Sequence, residues 1–465
     1  MSSADIGILG LGVMGHNLAL NLAGHGFSVV AFDPDEHARE RARGDGLNAV
    51  ASMAGLAGAL RTGPRTVLLS VPAGEAVDAA LGELSELLEA GDIVIDSGNS
   101  HFRDTERRTS DLARKGIRFA GIGVSGGAHG ALHGPSIMAG AEASAFDHIA
   151  PMLNAIATDF KGEPCCAWMG PGGAGHYVKM VHNGIEYAIM QLIAETWLVL
   201  RDVHGLDPKA AARVFADWNK GHLASYLVEI TAEVLAMTDR ASDRPVVEII
   251  ADVAGHKGTG RWTSMATIEA GVAAPTIIAA VNARALSSAT QARLAMNDSD
   301  RIVAAHGGGS GGDIDDLGKA LLCAQVCAYA QGFMLLDSAR RDHGWPFELE
   351  RVAAIWRAGC IIRAWLLEPV MATARNGLGP AGLLATEPTR SMIAEALPGL
   401  RATVLAGIAH GVPMPAFTSV MSWVDGFRSA NVGASLIQAQ RDRFGSHGFE
   451  RIDRPGQHHL DPRGR

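Results

Sequence analysis

The stretch HYVKMVHNGIEY, residues 176–187, carries reactive side chains at helical spacing. At about 100° per residue, one helix stripe collects positions i, i+3, i+4, i+7 and i+8, which here are Lys179, His182, Asn183, Glu186 and Tyr187. A solvated helix face explains the lysine and the glutamate, but it explains less well the histidine, asparagine and tyrosine between them. The pattern favours a site in which Lys179 and Glu186 act as base and acid on one substrate.

A glycine-rich segment near the N-terminus, GILGLGVMGHNL, predicts a dinucleotide site. Gly10, Gly12 and Gly15 form G-x-G-x-x-G directly after an apolar run and before a helical one, so the helix N-terminus faces a pyrophosphate. Asp33 ends the next predicted strand, 18 residues after Gly15, where a carboxylate accepts both ribose hydroxyls. The alternative is a glycine-rich turn with Asp33 as a helix cap.

Further polar segments follow predicted strands or lie in the later part of the chain. DSGNS at 96–100 and VSGG at 124–127 each follow a strand, and the carboxyl ends of strands line the ligand crevice of an open α/β sheet; either segment could also be an ordinary turn. Cations and a hydroxyl from distant segments could converge on a phosphate, or could each be surface groups. These residues are Lys257, Thr259, Arg284 and Arg441.

The elements that must position these residues change character along the chain. Short β-rich runs alternate with helical patterns from residue 4 to about 172, which predicts parallel pairing in a doubly wound sheet. From there to about 430 the strand pattern is absent and long apolar stretches replace it. Two of them, His176–His204 and Leu317–Arg341, are similar enough in length and composition to suggest an internal duplication. The predicted strands are Asp5–Gly10, Ser28–Asp33, Thr66–Val71, Ile93–Asp96, Arg118–Gly123 and Ser136–Ala139.

The predicted architecture is therefore an α/β Rossmann-type N-terminal domain (1–172), a large all-α substrate and dimerisation domain (173–430), and a C-terminal tail (431–465). The tail is rich in Arg and His and is interpreted as an arm that packs on another body, or as a frayed terminus. HGGGSGGD at 306–313 follows no predicted strand, so we expect a loop between helices there, not a phosphate cradle.

Composition excludes several classes of protein. Lys and Arg number 40 against 49 Asp and Glu, a formal net charge of −9, which argues against nucleic-acid binding. The start lacks a secretory signal and no apolar run is predicted to span a membrane. The five cysteines have no disulfide or metal spacing, and Cys323 and Cys327, one helical turn apart, are expected in the core. We expect a cytoplasmic protein without a metal site.

Six motifs, taken together, resemble decarboxylating 6-phosphogluconate dehydrogenase from residue 5 to about 456: GLGVMGHNL, DSGNS, GVSGGAHGALHGPSIMAG, HYVKMVHNGIEY, DVAGHKGTGRWT and LIQAQRDRFGSH. The resemblance implies oxidative decarboxylation of 6-phospho-D-gluconate to D-ribulose 5-phosphate in the pentose phosphate pathway and gluconate utilization. It also implies a nicotinamide cofactor and a homodimer whose C-terminal tail threads the partner subunit.

The resemblance also implies roles for individual residues. Lys179 matches the family's catalytic lysine and Glu186 its catalytic acid. The sugar-acid end would be held by Asn99, Ser125, Gly126, Gly127, His182 and Asn183. The phosphate would be held by Tyr187, Lys257, Thr259, Arg284 and Arg441, with His447 reaching across from the second subunit. The cofactor would contact Gly10, Gly12, Val13, Met14, Gly15, Asp33, Val71, Pro72, Ala73 and Asn99.

One departure from the family pattern concerns the cofactor. Many members carry Asn-Arg-Thr after the second strand, whereas this chain has Asp33-Pro34-Asp35, and Pro72 stands where many carry Lys. A carboxylate at this position repels a 2′-phosphate, which predicts NAD as the cofactor and NADP as the alternative. Arg39 and Arg41 are expected to be solvated and too distant to reverse that preference.

Two other functions use the same fold. A β-hydroxyacid dehydrogenase for a different sugar acid shares the lysine but does not require Lys257, Arg284 or the tail. A non-catalytic dinucleotide-binding sensor needs the glycine-rich loop but not the pair Lys179 and Glu186.

Overall fold

The computed structural model describes residues 3–255, 257–298, 313–379 and 381–460. The chain forms two compact units, Met1–Val420 and Met421–Arg465. His256 and nearly all of the predicted loop, residues 306–312, lie outside the described residues.

The first part of the chain alternates strands with helices, as the sequence predicts. Its elements are β1 (Ile6–Leu9), α1 (Val13–Gly24), β2 (Val29–Phe32), α2 (Glu36–Gly44), β3 (Asn48–Ala49), α3 (Met53–Ala59), β4 (Thr66–Leu69), α4 (Glu75–Leu84), β5 (Ile93–Asp96), α5 (Phe102–Ala113), β6 (Arg118–Ser125), α6 (Gly127–His133), β7 (Ser136–Gly140), α7 (Ala143–Ile156), β8 (Asp159–Phe160), β9 (Glu163–Pro164) and β10 (Cys166–Gly170).

Eight of these strands form one sheet in the order β10-β7-β6-β5-β4-β1-β2-β3. β1, β4 and β5 are buried along their whole length, as expected for strands covered on both faces, which therefore read as continuous apolar runs. Helices cover both faces: one apolar cluster includes Leu18 of α1 and Ile149 of α7, and the other includes Leu56 of α3 and Leu84 of α4. The doubly wound arrangement is confirmed.

The prediction of parallel pairing throughout is wrong at one place, because β6 and β7 pair antiparallel. Their connection, residues 126–135, holds only the seven-residue helix α6, and a parallel crossover needs a dozen or more residues. The chain therefore reverses and β7 lies beside β6. β10, which the sequence analysis did not predict, then extends the sheet parallel to β7.

The rest of the described chain is almost entirely helical. Its elements are α8 (Ala174–Asp202), α9 (Pro208–Trp218), α10 (Tyr226–Ala236), α11 (Val246–Ile249), α12 (Thr259–Glu269), α13 (Pro275–Ser288), α14 (Thr290–Asp298), α15 (Ile314–His343), α16 (Leu349–Ile355), α17 (Leu367–Arg375), a short 3₁₀ helix (Gly382–Leu384), α18 (Thr389–Ala409), α19 (Pro415–Arg428), α20 (Ala434–Gly445), β11 (Phe449–Glu450) and β12 (Gln457–His458).

Helix α15 is the centre of this helical part and packs against α8 and α18. By length and composition α15 and α18 could each cross a membrane, but the most apolar window of α15 is 83% buried within the fold, as in the core helix of a globular protein. Cys323 and Cys327 are free and buried there, which confirms the prediction of core packing. Among the described residues, no group of His, Cys, Asp and Glu side chains is placed to hold a metal ion.

Candidate active site

Glycines on β6 and at the start of α8 allow that helix to lie directly against the sheet. A Cβ atom at Gly123 would collide with the side chain of Lys179, and a Cβ atom at Gly175 would collide with the carbonyl oxygen of Gly121. The close approach presses the first turns of α8 onto the carboxyl half of β6. The predicted stripe therefore faces inward, since four of its members are buried and Glu186 has a side-chain exposure of only 22%. The solvated-face alternative is wrong.

His182 joins the members of this stripe to the end of β6. Its Nε2 lies 3.1 Å from Oγ of Ser125, and its Nδ1 lies 3.1 Å from Oδ1 of Asn183 and 3.4 Å from Nζ of Lys179. Oε2 of Glu186 is 3.7 Å from the same Nδ1. An imidazole that donates from Nδ1 to Oδ1 of Asn183 and accepts the Ser125 hydroxyl at Nε2 satisfies the two contacts at 3.1 Å. The predicted residues Ser125, Lys179, His182, Asn183 and Glu186 are thus brought together.

Burial shifts the pKa values of the two predicted catalytic groups in opposite directions. It lowers the pKa of the Lys179 ammonium, although the negative charge of Glu186 opposes the shift. It raises the pKa of the Glu186 carboxyl, against the cations Lys179 and Arg284. The pKa of His182 falls well below its ordinary value, first through burial and then through the charge of Lys179. The site therefore favours a neutral amine and a protonated carboxyl, which are the forms that a base and an acid require before reaction.

A small cavity connects this stripe to the loop after β5. It is lined by Asn99, Ser100, His176, Lys179, Met180, Asn183, Thr259 and Trp262. Asn99 is exposed, whereas Thr259, the first residue of α12, is buried. Gly126, the N-cap of α6, and Gly127, its first residue, follow Ser125 directly. Of the sugar-acid residues expected from the sequence, Asn99 and Asn183 line this cavity, and Ser125 and His182 are linked to Asn183 through the contacts of the imidazole.

The residues expected at the phosphate fall into two groups. The guanidinium of Arg284 lies over the ring of Tyr187 at 3.7 Å from its centroid, and its Nη1 donates to the carbonyl oxygen of Gly255 at 2.9 Å. Lys257, two residues further on, is exposed. Arg441 and His447 belong to the second unit, where both are exposed.

The glycine-rich loop has the backbone that the dinucleotide motif requires. Gly10 has φ +99°, and a Cβ atom at Gly15 would collide with the carbonyl oxygen of Gly10. Val13 stands at the start of α1 with 66% exposure, so the helix N-terminus is open to a ligand. Met14 is half-buried behind it. Gly12 is the N-cap of α1.

The other predicted cofactor residues lie at the same edge of the sheet. Asp33 follows β2, residues 71–73 follow β4, and Asn99 follows β5. Because the strand order reverses direction at β1, these carboxyl ends form the crevice at which open α/β sheets bind ligands. The loop residues Val71, Pro72 and Ala73 therefore lie across β1 from Asp33.

Asp33 has a structural role that the sequence analysis only partly anticipated. Its Oδ2 accepts the backbone N–H of Leu11 at 2.6 Å, and its Oδ1 accepts that of Asp35 at 2.9 Å. The carboxylate thus fastens the glycine-rich loop to the turn before α2.

The expectation that Arg39 and Arg41 are solvated and distant holds only in part, because Arg41 is exposed but Arg39 is buried and both side chains fold back onto backbone carbonyls. Arg39 is buried and donates to the carbonyl oxygens of Asp33 and Pro34. Nη2 of Arg41 donates to the carbonyl oxygen of Leu11 at 2.8 Å. Both arginines extend from α2 and donate hydrogen bonds to backbone carbonyls, Arg39 in the turn before that helix and Arg41 in the glycine-rich loop. The guanidinium of Arg41 therefore lies beside that loop.

Several residues next to the site escaped the sequence analysis. Trp356 packs edge-on to His182 with ring centroids 5.4 Å apart, and Cys360, near Lys179, is a buried thiol whose pKa burial raises to about 12. Both belong to the run WRAGC, which has no periodicity to single it out. His176, whose Nδ1 lies 2.7 Å from Oγ1 of Thr105, could have been found, since it precedes Lys179 by three residues on the same stripe.

Comparison with known proteins gives consistent matches along the chain. Residues 5–170 match the NAD binding domain of 6-phosphogluconate dehydrogenase, and residues 175–461 match the C-terminal domain of the same enzyme. The NADP(+)-dependent, decarboxylating 6-phosphogluconate dehydrogenase of Bacillus subtilis is 41% identical over 99% of both chains. The decarboxylating enzyme of Ovis aries is 43% identical over 98% of this chain and 96% of its own.

A solved structure gives the same result for the fold. The 6-phosphogluconate dehydrogenase of Plasmodium falciparum, studied in its apo form and with NADP+ or 6-phosphogluconate, superposes with a TM-score of 0.92 at 36% identity. The match covers 98% of this chain and 99% of the other. With both domain models matched in order and relatives aligned over nearly their whole length, this chain belongs to the 6-phosphogluconate dehydrogenase family.

Proposed function

We propose that the protein catalyses the oxidative decarboxylation of 6-phospho-D-gluconate to D-ribulose 5-phosphate and CO2, as a cytoplasmic step of the pentose phosphate pathway. The observation that carries the proposal is the buried contact of Lys179 and Glu186 with His182, at the point where α8 meets the loops of the dinucleotide sheet. Membership of the family and the named activity of the relatives support it. The five free and buried cysteines are compatible with a reducing compartment.

A nicotinamide dinucleotide fits the glycine-rich loop, because Gly10 and Gly15 leave the backbone space that such a cofactor needs. When bound, it supplies the acceptor for the hydride that leaves C3 of the substrate. Its pyrophosphate would lie at the N-terminus of α1, and Val71, Pro72, Ala73 and Asn99 would face its other half. No metal is required, because the ketone of a β-keto acid itself accepts the electron pair that remains when CO2 leaves.

In this mechanism Lys179 exchanges a proton with the oxygen on C3 of the substrate. As a neutral amine, favoured by its lowered pKa, it takes the proton of the 3-hydroxyl while C3 is oxidised. The resulting ammonium then returns this proton to the ketone oxygen as CO2 leaves, which gives the neutral enediol. Glu186, whose protonated form is favoured by its raised pKa, then protonates C1 of the enediol while the amine of Lys179 takes the proton of the hydroxyl that becomes the ketone, which gives ribulose 5-phosphate.

The decisive experiment follows reduced-nicotinamide absorbance with 6-phosphogluconate and with gluconate as substrates. We expect turnover with release of CO2 for the phosphorylated sugar acid and much weaker turnover for gluconate. Equal use of both substrates would favour a different β-hydroxyacid dehydrogenase, and cofactor binding without turnover would favour a sensor.

A phosphate site formed by Tyr187, Lys257, Thr259, Arg284 and Arg441 is part of the proposal. Lys257→Ala and Arg441→Ala should mainly raise KM for 6-phosphogluconate, because each charge-assisted hydrogen bond contributes roughly 1.5–3 kcal/mol, or about 10- to 150-fold. KM for gluconate is the control, since it lacks the phosphate and should stay unchanged in both variants.

NAD is proposed as the preferred cofactor, with NADP as the alternative. The support is the carboxylate of Asp33 at the end of β2, where it would meet a 2′-phosphate, together with the absence of a cation at Pro34 and Asp35. The relative from Bacillus subtilis is named as NADP(+)-dependent, and Arg41 beside the loop is the cation that would serve NADP here.

Measurement of kcat/KM for both cofactors tests this preference. Asp33→Asn with Pro34→Arg should shift it toward NADP, since repulsion is removed and a phosphate donor is added. Arg41→Met should change the NAD value little. A wild-type preference for NADP that Arg41→Met abolishes would reverse the assignment.

A homodimer with exchanged tails completes the proposal, in which Arg441 and His447 of each chain serve the site of the other. The support is that both residues are exposed on a separate unit, along with Phe444, which is 76% exposed. A truncation after Asn431 should bind the cofactor but turn over poorly. When it is mixed with Lys179→Met, hybrid sites should restore part of the activity, whereas full activity in a truncated monomer would contradict tail exchange.

A further inference from the structure

A buried ion pair lies directly behind the loops after β4 and β5. Arg108 of α5 and Asp96, the last residue of β5, have side chains that are each 1% exposed, with Nη1 and Oδ2 3.6 Å apart. Burial of two charges is costly unless both are paired and hydrogen-bonded. Neither residue belongs to the stripe on α8 or to the predicted substrate site, so the pair calls for a separate explanation.

The guanidinium of Arg108 connects the two loops to each other. Its Nη2 donates to the carbonyl oxygen of Gly74 at 3.0 Å, and its Nη1 donates to Oγ of Ser100 at 3.3 Å. Its Nε donates to Oδ1 of Asp78 on α4 at 2.8 Å. Gly74 ends the loop after β4, and Ser100 lies near the end of the loop after β5. One planar cation with donors in fixed directions therefore sets the separation of the loops.

Asp96 fixes the shape of the second loop from the inside. Its Oδ1 accepts the backbone N–H of Gly98 at 2.9 Å, and its Oδ2 accepts the hydroxyl of Ser100 at 2.6 Å. The hydroxyl of Ser97 donates to the carbonyl oxygen of Leu69 at 2.7 Å. Asn99 stands exposed between these fastened neighbours, so its position follows from theirs.

The strand order assigns these loops to one half of the cofactor. β2 and Asp33 lie on one side of β1, and β4 and β5 lie on the other. A dinucleotide with its pyrophosphate at the glycine-rich loop and its adenosine ribose near Asp33 must extend its nicotinamide toward the loops after β4 and β5.

We infer that Arg108 is a positioning residue for hydride transfer: paired with Asp96, it holds the two loops that face the nicotinamide and thereby places Asn99. The expected effect of Arg108 on turnover rests on the proposed function, whereas its expected effect on cofactor binding does not. Arg108 itself touches neither substrate nor cofactor in this assignment, because it is buried beneath the loops.

The neighbouring Arg107 provides a matched control. It donates to the same carboxylate of Asp78 at 3.0 Å, but its side chain is 50% exposed. Within the described part of the chain, its hydrogen bonds go to Asp78 and not to Gly74 or Ser100. Arg107→Met therefore removes an ion pair with Asp78 and leaves both loops fastened, whereas Arg108→Met releases them.

The experiment compares binding of NAD with binding of ADP-ribose, which lacks the nicotinamide. For Arg108→Met we expect NAD affinity to fall at least about 5-fold and ADP-ribose affinity to change less than about 2-fold. kcat with 6-phosphogluconate should fall about 10- to 100-fold, since small misplacement of reacting groups has effects of this order. A larger deuterium isotope effect on kcat with C3-deuterated substrate should accompany it, as hydride transfer becomes rate-limiting. Arg107→Met should match wild type in all of these measurements.

Because Arg108→Met leaves the carboxylate of Asp96 without its buried cation, the double variant Arg108→Met/Asp96→Asn is measured as well. It removes both charges and should show the same selective loss of NAD affinity and the same isotope effect. Equal losses of NAD and ADP-ribose affinity, or equal behaviour of the Arg107 and Arg108 variants, would overturn the positioning role. A selective loss of NAD affinity in a protein that does not oxidise 6-phosphogluconate would uphold that role and refute the proposed activity.

Discussion

The two long helices of the first unit, α8 and α15, differ in the kind of polar group that they bury. They have 29 and 30 residues, pack against each other and are largely buried. α8 buries groups that can carry charge, including His176, Lys179, His182 and Glu195. The buried polar side chains of α15 are amides, thiols and a phenol, and the pKa values of Tyr329 and Cys327 are raised well above their ordinary range, mainly through burial for the first and through Cys323 for the second.

The placement of charge on α15 is the ordinary solution for a core helix. Its acidic residues Asp315 and Asp316 stand in the first turn, and Arg340, Arg341 and His343 stand in the last, where the helix dipole favours each sign. α8 instead places ionisable groups in its buried first half, against the dinucleotide sheet. Since desolvation of such groups opposes folding, the difference indicates that the arrangement on α8 is maintained for chemistry and that on α15 for packing.

The strongest test of this contrast pairs one variant on each helix. Lys179→Met should lower kcat by at least about 10²- to 10⁴-fold, the usual contribution of a placed proton-transfer group, without lowering the free energy of unfolding, because a desolvated amine is removed. Leu321→Ala on α15, a fully buried position, should lower the free energy of unfolding by about 2–5 kcal/mol and leave kcat of the folded protein intact. Near-normal turnover by Lys179→Met would remove the lysine from the mechanism.

The opposite pKa shifts of Lys179 and Glu186 predict a pH dependence of kcat/KM. Burial lowers the pKa of Lys179 and raises that of Glu186, so activity should fall at acid pH as the amine takes a proton, and at alkaline pH as the carboxyl loses one. Glu186→Gln should lower kcat about 100-fold and remove the alkaline limb, leaving the acid limb. In the wild type the interaction of the two groups shifts the apparent pKa values of both limbs. An alkaline limb that persists in the variant would assign it to another group.

The sequence allowed much of this arrangement to be predicted. Long apolar stretches gave both long helices to within three residues at each end. Helical periodicity placed Lys179, His182, Asn183, Glu186 and Tyr187 on one face, because spacing along a helix is a local property. The G-x-G-x-x-G segment and the predicted strands followed for the same reason.

What could not be predicted depends on partners that are distant in the chain. The antiparallel reversal at β7 depends on the exact length of a short connection. The return of Arg41 to Leu11 and the bonds of Arg108 to Gly74 and Ser100 depend on which carbonyls and hydroxyls the folded loops present. A lone arginine in a helical run carries no pattern that distinguishes a solvated side chain from a buried one.

A smaller effect is expected at Glu195, a buried ionisable group of α8 that lies away from the candidate site. It is fully buried and accepts the backbone N–H groups of Ala416 and Phe417, at the start of α19, at 2.8 and 2.9 Å. Burial raises its pKa from 4.5 to about 7, although these hydrogen bonds oppose the shift. The folded protein therefore binds this proton more tightly than the unfolded chain does. The associated stability is fully present below the unfolded pKa and is lost as pH rises through the folded pKa of about 7.

The glutamine of Glu195→Gln cannot titrate. Relative to this variant, the free energy of unfolding of the wild type should therefore fall by about 2–3 kcal/mol between about pH 5 and about pH 8, at about 1.36 kcal/mol per pKa unit. Urea unfolding at several pH values measures it. Glu229→Gln, at an exposed position of α10, is the control and should give a constant difference. The same constancy for Glu195→Gln would show that this carboxyl titrates normally despite its burial.

The smallest change in the free energy of unfolding is expected on α15, where the buried polar side chain to be replaced is a neutral amide. Gln325 is buried, and its Nε2 has no hydrogen-bond partner among the described residues. An unsatisfied buried amide already lacks the hydrogen bonds that would offset its desolvation, so a similarly shaped apolar side chain should be nearly neutral or stabilising. Gln325→Met keeps the length and flexibility of the side chain and should change the free energy of unfolding by less than about 1 kcal/mol. kcat should remain unchanged, in contrast with Lys179→Met and Glu186→Gln, and the effect should not depend on pH, in contrast with Glu195→Gln. A large loss of stability would reveal an ordered water or another partner for the amide, and a loss of turnover would show that α15 contributes to chemistry after all.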